Sequence, residues 1–125
     1  MDKHRNLGIW MDHSIANLIE FKDSMTCHSI ESDFTKNEEL DAMQKSENLM
    51  HNKKQQMHEA YYKEIADEIL NYDQVLLFGP TNARVELFNY LKKDLHFKDI
   101  KFDLEAADKM TDNEQFAFVR KHFEN

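Results

Sequence analysis

One stretch of this sequence narrows the fold more than any other. It runs from Asp73 to Leu91 and reads Asp-Gln-Val-Leu-Leu-Phe-Gly-Pro-Thr-Asn-Ala-Arg-Val-Glu-Leu-Phe-Asn-Tyr-Leu. The apolar run Val75 to Phe78 has the continuity of a buried strand, and Gly79-Pro80 ends it. Val85, Phe88, Leu91 and Leu95 then recur at helical spacing, so the pattern predicts strand, tight turn, helix. Backbone N–H groups at the start of that helix would point into the turn with Arg84 beside them. Gly79, Pro80, Thr81, Asn82 and Arg84 are therefore a candidate anion site. Cap chemistry offers a plainer account: Gly79 permits the turn, Thr81 or Asn82 caps the helix, and Arg84 is solvated. The Gly-x4-Gly-Lys-Ser/Thr pattern of a P-loop is missing.

The rest of the chain supplies partners for that unit. Leu7 to Met11 and Ile15 to Phe21 are apolar runs broken at Asp12-His13-Ser14, which reads as a hairpin. Lys22-Asp23-Ser24 makes a second turn, and Met25 to Ile30 alternates as a third strand. Asp33 to about Gln56 is polar, with a loop and the exposed start of a long helix as competing readings. The expected division is a loop to about Met43 and a helix from there to near Asn71. Within it Met57, Tyr61, Ile65 and Ile69 keep i, i+4 spacing, and Tyr62, Ala66 and Leu70 widen the stripe. Ile100 to Leu104 reads as a fifth strand. Thr111-Asp112-Asn113-Glu114 has the form of a capping box before a last helix from Asp112 to about Phe123.

The predicted order is β-β-β-α-β-α-β-α in a single domain over residues 1–125. Three strands can pair as an antiparallel meander, while the last two need helical crossovers and join in parallel. The expected fold is α/β, a mixed five-stranded sheet with helices on its faces, in the ribonuclease H-like layout.

Composition removes several functions. The formal net charge is −8, whereas a non-specific nucleic-acid binder carries a basic excess. Any RNA contact must use a local basic patch, and DNA binding is not expected. Arg84, Lys92, Lys93, Lys98 and Lys101 form one such cluster; Lys45, Lys53 and Lys54 form another. Acids such as Asp94, Asp99 and Glu47 interrupt both, so solvated charged faces also explain them. Cys27 is the only cysteine, which excludes an intramolecular disulfide and a thiolate zinc site. No run approaches the ~20 apolar residues of a membrane span and no signal-peptide core is present, so a soluble cytoplasmic protein is expected.

With that element order, several motifs resemble one family. They are Gly8-Ile9-Trp10-Met11-Asp12 with Ala16-Asn17-Leu18-Ile19, then His58 to Ala66, then Leu76 to Leu87 with its Gly-Pro turn and basic helix start. The chain resembles the middle domain of the eukaryotic and archaeal class I release factors and their stalled-ribosome rescue relatives. It is closer still to bacterial proteins with a degenerate copy of that domain. The resemblance implies a ribosome or tRNA partner, in rescue, hibernation or quality control. One departure matters: those release factors carry a Gly-Gly-Gln tripeptide between the third strand and first helix. Ser32 to Lys54 contains no glycine, and Gln55-Gln56 lacks the glycines that would let a loop enter a crowded catalytic centre. Peptide-release chemistry does not carry over, and no enzyme activity is expected.

The other candidates are weaker. Asp12 stands where ribonuclease H-like nucleases place a first metal carboxylate, and Glu59 or Glu64 could supply a second. Two-metal chemistry needs several convergent acids, and the end of the fourth strand offers Gly79-Pro80 instead. Asp12 therefore reads as a hairpin-turn residue, and no metal or other cofactor is expected. His51 and His58 lack a His-x3-His pair and read as surface residues. Cys27 reads as a buried core thiol, with His28 on the opposite side of the sheet. The binding candidates are thus Gly79, Pro80, Thr81, Asn82 and Arg84, with Lys53 and Lys54. The rival expectation is a protein-interaction module, a homodimer for instance, since seven Met and many aromatics suit a re-packing surface.

Overall fold

A computed structural model of the chain describes residues 5–22, 26–32 and 59–124. The strands are β1 (Asn6–Met11), β2 (Ile15–Phe21), β3 (Thr26–Glu31), β4 (Gln74–Gly79) and β5 (Lys101–Ala106). The helices are α1 (residues 59–69), α2 (Ala83–Leu91) and α3 (Asp112–Glu124), with a 3-10 turn at Leu95–Phe97. The strands form one sheet in the order β3-β2-β1-β4-β5. β1, β2 and β3 pair antiparallel, while β4 lies parallel to β1 and β5 parallel to β4. This is a mixed five-stranded α/β sheet whose elements follow the predicted order along the chain. The expected loop and helix start between Asp33 and Gln56 lie outside the described residues.

Each face of the sheet has its own core. Leu7, Ile9, Met11, Leu18, Val75 and Leu77 face α1 and α2, where Tyr61, Ile65, Ile69, Leu87 and Leu91 meet them. Trp10, Ile19, Leu76 and Phe78 face α3, which contributes Val119. Central strands covered on both faces explain why Val75 to Phe78 is apolar at every position. Phe78 is fully buried and stacks on Phe118 with ring centroids 4.5 Å apart. Burying a ring of that size contributes about 2–3 kcal/mol.

α3 is seated by shape and by polar contacts. A Cβ placed on Gly8 would lie 2.3 Å from a Val119 methyl, so only glycine lets the helix come this close to β1. Ser29 Oγ donates to Asn17 Oδ1 (2.7 Å), and Asn17 Nδ2 donates to the Oε1 of the buried Gln115 (2.9 Å). These bonds carry polar satisfaction from β3 through β2 to the helix. His122 lies between Asp103 and Glu105 of β5, at 3.0 and 3.4 Å. The predicted capping box is formed: Thr111 N–H donates to Glu114 Oε1 (2.9 Å), and Glu114 N–H to Thr111 Oγ1 (3.2 Å).

Three expectations are corrected. The buried stripe of α2 is Ala83, Leu87 and Leu91, while Val85 and Leu95 are exposed. The chain leaves the helix after Leu91, so Leu95 no longer follows helical spacing. Leu70 is also exposed, because α1 has ended at residue 69. Cys27 is exposed rather than buried. It sits on the end strand β3, where only Ile30 is covered. Although its surface is open, neighbouring atoms partly desolvate the thiol, and this, with the Asp112 charge second, pushes it above the ordinary value. Cys27 pairs with Ile19 and His28 with Leu18, so the two side chains do fall on opposite faces.

Candidate functional site

The carboxyl ends of β1 and β4, adjacent and parallel, open onto one edge of the molecule. In open α/β sheets this position, where neighbouring connections diverge, is the usual ligand crevice. β1 runs into Asp12 there, and β4 into the Gly79–Arg84 turn.

The turn is held by its own atoms. Gly79 has φ +153°, and a Cβ there would lie 2.1 Å from the Met11 carbonyl oxygen. Glycine thus lets the turn lean against the end of β1. Thr81 Oγ1 accepts from Ala83 N–H (3.2 Å), whereas Asn82 makes no side-chain cap bond. The N-cap position belongs to Asn82 and carries no side-chain cap, so Thr81, one residue earlier, satisfies only the first helical N–H. Arg84 is half-buried rather than solvated. Its Nη1 donates to the Gly79 carbonyl (3.4 Å) and to that of Thr81. The sheet brings Gly79, Pro80, Thr81, Asn82 and Arg84 together, while Lys53 and Lys54 lie outside the described residues.

Asp12 is also occupied locally. Its Oδ1 accepts from Ser14 N–H (2.7 Å) and Ile15 N–H (2.9 Å), which closes the hairpin turn. Glu59 and Glu64 are exposed on α1, whereas the neighbouring Tyr61 and Tyr62 face the sheet. Among the described residues, no group of three or more His, Cys, Asp or Glu is placed to hold a metal ion.

Four further residues meet at this end that sequence reasoning did not bring together. Glu86, in the first turn of α2, accepts from Tyr62 OH through Oε1 (2.8 Å) and meets His13 Nε2 through Oε2 (3.1 Å). Tyr61 OH donates to the Asp12 carbonyl (3.0 Å). Burial first, then the bond to Glu86 and its charge, raise the Tyr62 phenol. Burial first, then the Asp12 charge, raise that of Tyr61. Both phenols stay neutral and donate. The one available signal was Glu86 itself, an acid in the first turn of a helix that begins at this crevice. The arrangement ties α1, α2 and the hairpin turn together, and it offers no activated nucleophile.

A second concave feature lies on the other side of α2. A pocket of about 300 Å³ is lined by Phe88, Phe97, Ile100 and Phe102, together with Lys92 and Lys98.

The class of protein this defines is a mixed five-stranded α/β domain with polar groups gathered at the carboxyl ends of β1 and β4. Archaeal Pelota proteins contain a domain of similar fold. The Pelota protein of Thermoplasma acidophilum matches 95% of this chain with a TM-score of 0.64 and 14% sequence identity, over 34% of its own length. That of Archaeoglobus fulgidus matches 98% with a TM-score of 0.63 and 7% identity, over 32% of its length. The chain spans about a third of either protein, and the likeness is one of fold. No family model matches the sequence, and no curated protein matches it in sequence. Among the described residues, no helix is long and apolar enough to cross a membrane.

Proposed function

We propose that this chain is a ribonuclease H-like domain that acts without catalysis of its own, as a cytoplasmic factor binding the ribosome or tRNA. The observation that carries this reading is the fold likeness over nearly the whole chain to two archaeal Pelota proteins. The strand order and the release-factor motifs of the sequence support the same reading, and the missing Gly-Gly-Gln tripeptide argues for a role other than peptide release. The contact region is the Gly79–Arg84 turn with Lys53 and Lys54. Arg84 shapes the turn through its bonds to the Gly79 and Thr81 carbonyls, and the two lysines add positive charge to an acidic chain.

Co-sedimentation with ribosomes at low salt tests this. The protein should travel with ribosomal particles, and Lys53→Glu with Lys54→Glu should shift it toward the top of the gradient. Arg84→Glu should do the same, with thermal unfolding measured alongside because the turn loses its internal bonds. A protein that stays at the top in extracts of growing and starved cells alike ends this reading. The second reading, a protein-interaction module such as a homodimer, is favoured by the apolar pocket beside α2. Light scattering that shows a monomer would remove the homodimer.

A further inference from the structure

β5 is an end strand of the sheet. Lys101 N–H donates to the Asp73 carbonyl and Ala107 N–H to that of Gly79, both at 3.0 Å and both toward β4. Alternate residues of a parallel strand turn their peptide groups the same way, so those of Phe102, Leu104 and Ala106 turn outward. An edge of this kind is a template for another strand.

The pocket adjoins that edge. Phe102 of β5 forms one wall, and its ring meets Phe88 edge-on with centroids 5.7 Å apart. Leu95, also in the lining, is 80% exposed. A pocket of about 300 Å³ with apolar walls accepts a large aliphatic or aromatic side chain. Local charge opposes the rest of the molecule. Residues 92 to 101 hold four Lys and two Asp, a net of +2 in a chain of −8. Asp94 also lines the pocket, but its carboxylate already accepts from His96 N–H (2.9 Å) and meets the His96 ring (2.6 Å). Lys92 and Lys98 line the pocket and make no ion pair among the described residues.

We propose that the outer edge of β5 and the adjoining pocket dock an extended acidic segment of a partner protein, with one large apolar side chain in the pocket. Outward peptide groups would supply main-chain hydrogen bonds, the pocket would select the anchor, and Lys92 and Lys98 would select flanking carboxylates. A nucleobase needs an open ring face for stacking. Here Phe97 is 6% exposed, and the Phe88 and Phe102 rings engage one another. The inference goes beyond the ribosomal reading and stands whether or not that reading survives.

The test is an anisotropy titration of the full chain with a fluorescein-labelled, blocked heptapeptide that carries Phe at its centre and Glu two positions to either side, so that all three side chains share one face of the strand. Saturable binding is expected, with amide shifts in NMR spectra at Phe102, Leu104 and Ala106. Reversing charge at exposed Lys92 and Lys98 to Glu should weaken binding about tenfold, since two attractive surface contacts with the peptide carboxylates become repulsive. The thermal midpoint should not move. Replacing the peptide's Phe with Ser should weaken binding at least as much. The proposal fails if folded wild-type protein shows no saturation at millimolar peptide, or if the shifts map elsewhere. It fails equally if the charge-reversed variant binds as well as the wild type. An oligouridylate that shifts the same amides when the peptide does not would also overturn it.

Discussion

The carboxyl ends of β1 and β4 and the outer edge of β5 belong to neighbouring strands of one sheet, yet they treat their polar groups in opposite ways. At the first, Asp12 bonds its own turn, Arg84 bonds the Gly79 and Thr81 carbonyls, and Glu86 joins Tyr62 to His13. At the second, a row of peptide groups turns outward beside an apolar pocket, with Lys92 over the Phe88 ring and neither it nor Lys98 in an ion pair among the described residues. Polar residues that converge are therefore not the same as polar residues that are available. The first region is rich in recognisable motif, while the second has more unmet bonding capacity.

The comparison can be broken most sharply at Gly79. Gly79→Ala forces a Cβ against the Met11 carbonyl at a positive φ, which should cost about 3 kcal/mol by strain and overpacking together. Urea denaturation reads this directly, and a loss below about 1 kcal/mol would mean that the turn is not held tightly against β1. Tyr62→Phe comes next. It removes the donor to Glu86 and should cost about 1 kcal/mol, because that carboxylate is partly exposed and water can replace the bond.

A smaller and local effect belongs to the β5 side. The Asp94 carboxyl is held below its ordinary value, chiefly by the His96 backbone N–H and then by the His96 side chain. A carboxyl lowered by folding adds stability above its unfolded value and loses that contribution as pH falls through the folded value. The His96 amide resonance should therefore move on acidification through and below the ordinary Asp range, and Asp94→Asn should abolish that titration. Leu95→Ser should do least, with unfolding free energy within about 0.5 kcal/mol of wild type. A larger loss would show that the pocket wall supports the fold rather than standing open.

How much could be read from the sequence followed the range of the interactions. The strand–turn–helix unit and the Thr111–Glu114 capping box are made by residues within a few positions of one another, and both were legible. The stripe of α2 was misplaced because Ala83 carries little hydropathy, although it is fully buried, whereas Val85 carries much and is exposed. A strand pattern does not say which strand lies at the end of a sheet, so the sequence alone points to a buried Cys27 where the fold exposes it. The Glu86 contacts join residues 24 and 73 positions apart, so no local spacing announces them. The basic cluster near Lys92 was visible. Its pocket was not, since that depends on the return of β5 alongside β4 and on the 3-10 turn at Leu95–Phe97.

Gly8 carries a consequence for the order in which the protein is made. Its missing side chain allows Val119 to reach the sheet, so α3 covers Trp10, Ile19, Leu76 and Phe78 closely. Those four residues leave the ribosome well before residues 112–124 do. During that interval β1 to β4 can already pair, β5 joining late, while one apolar face stays wet. A nascent chain of this design is most prone to sticking just before α3 arrives, and a translational pause there would be more damaging than one earlier in the message.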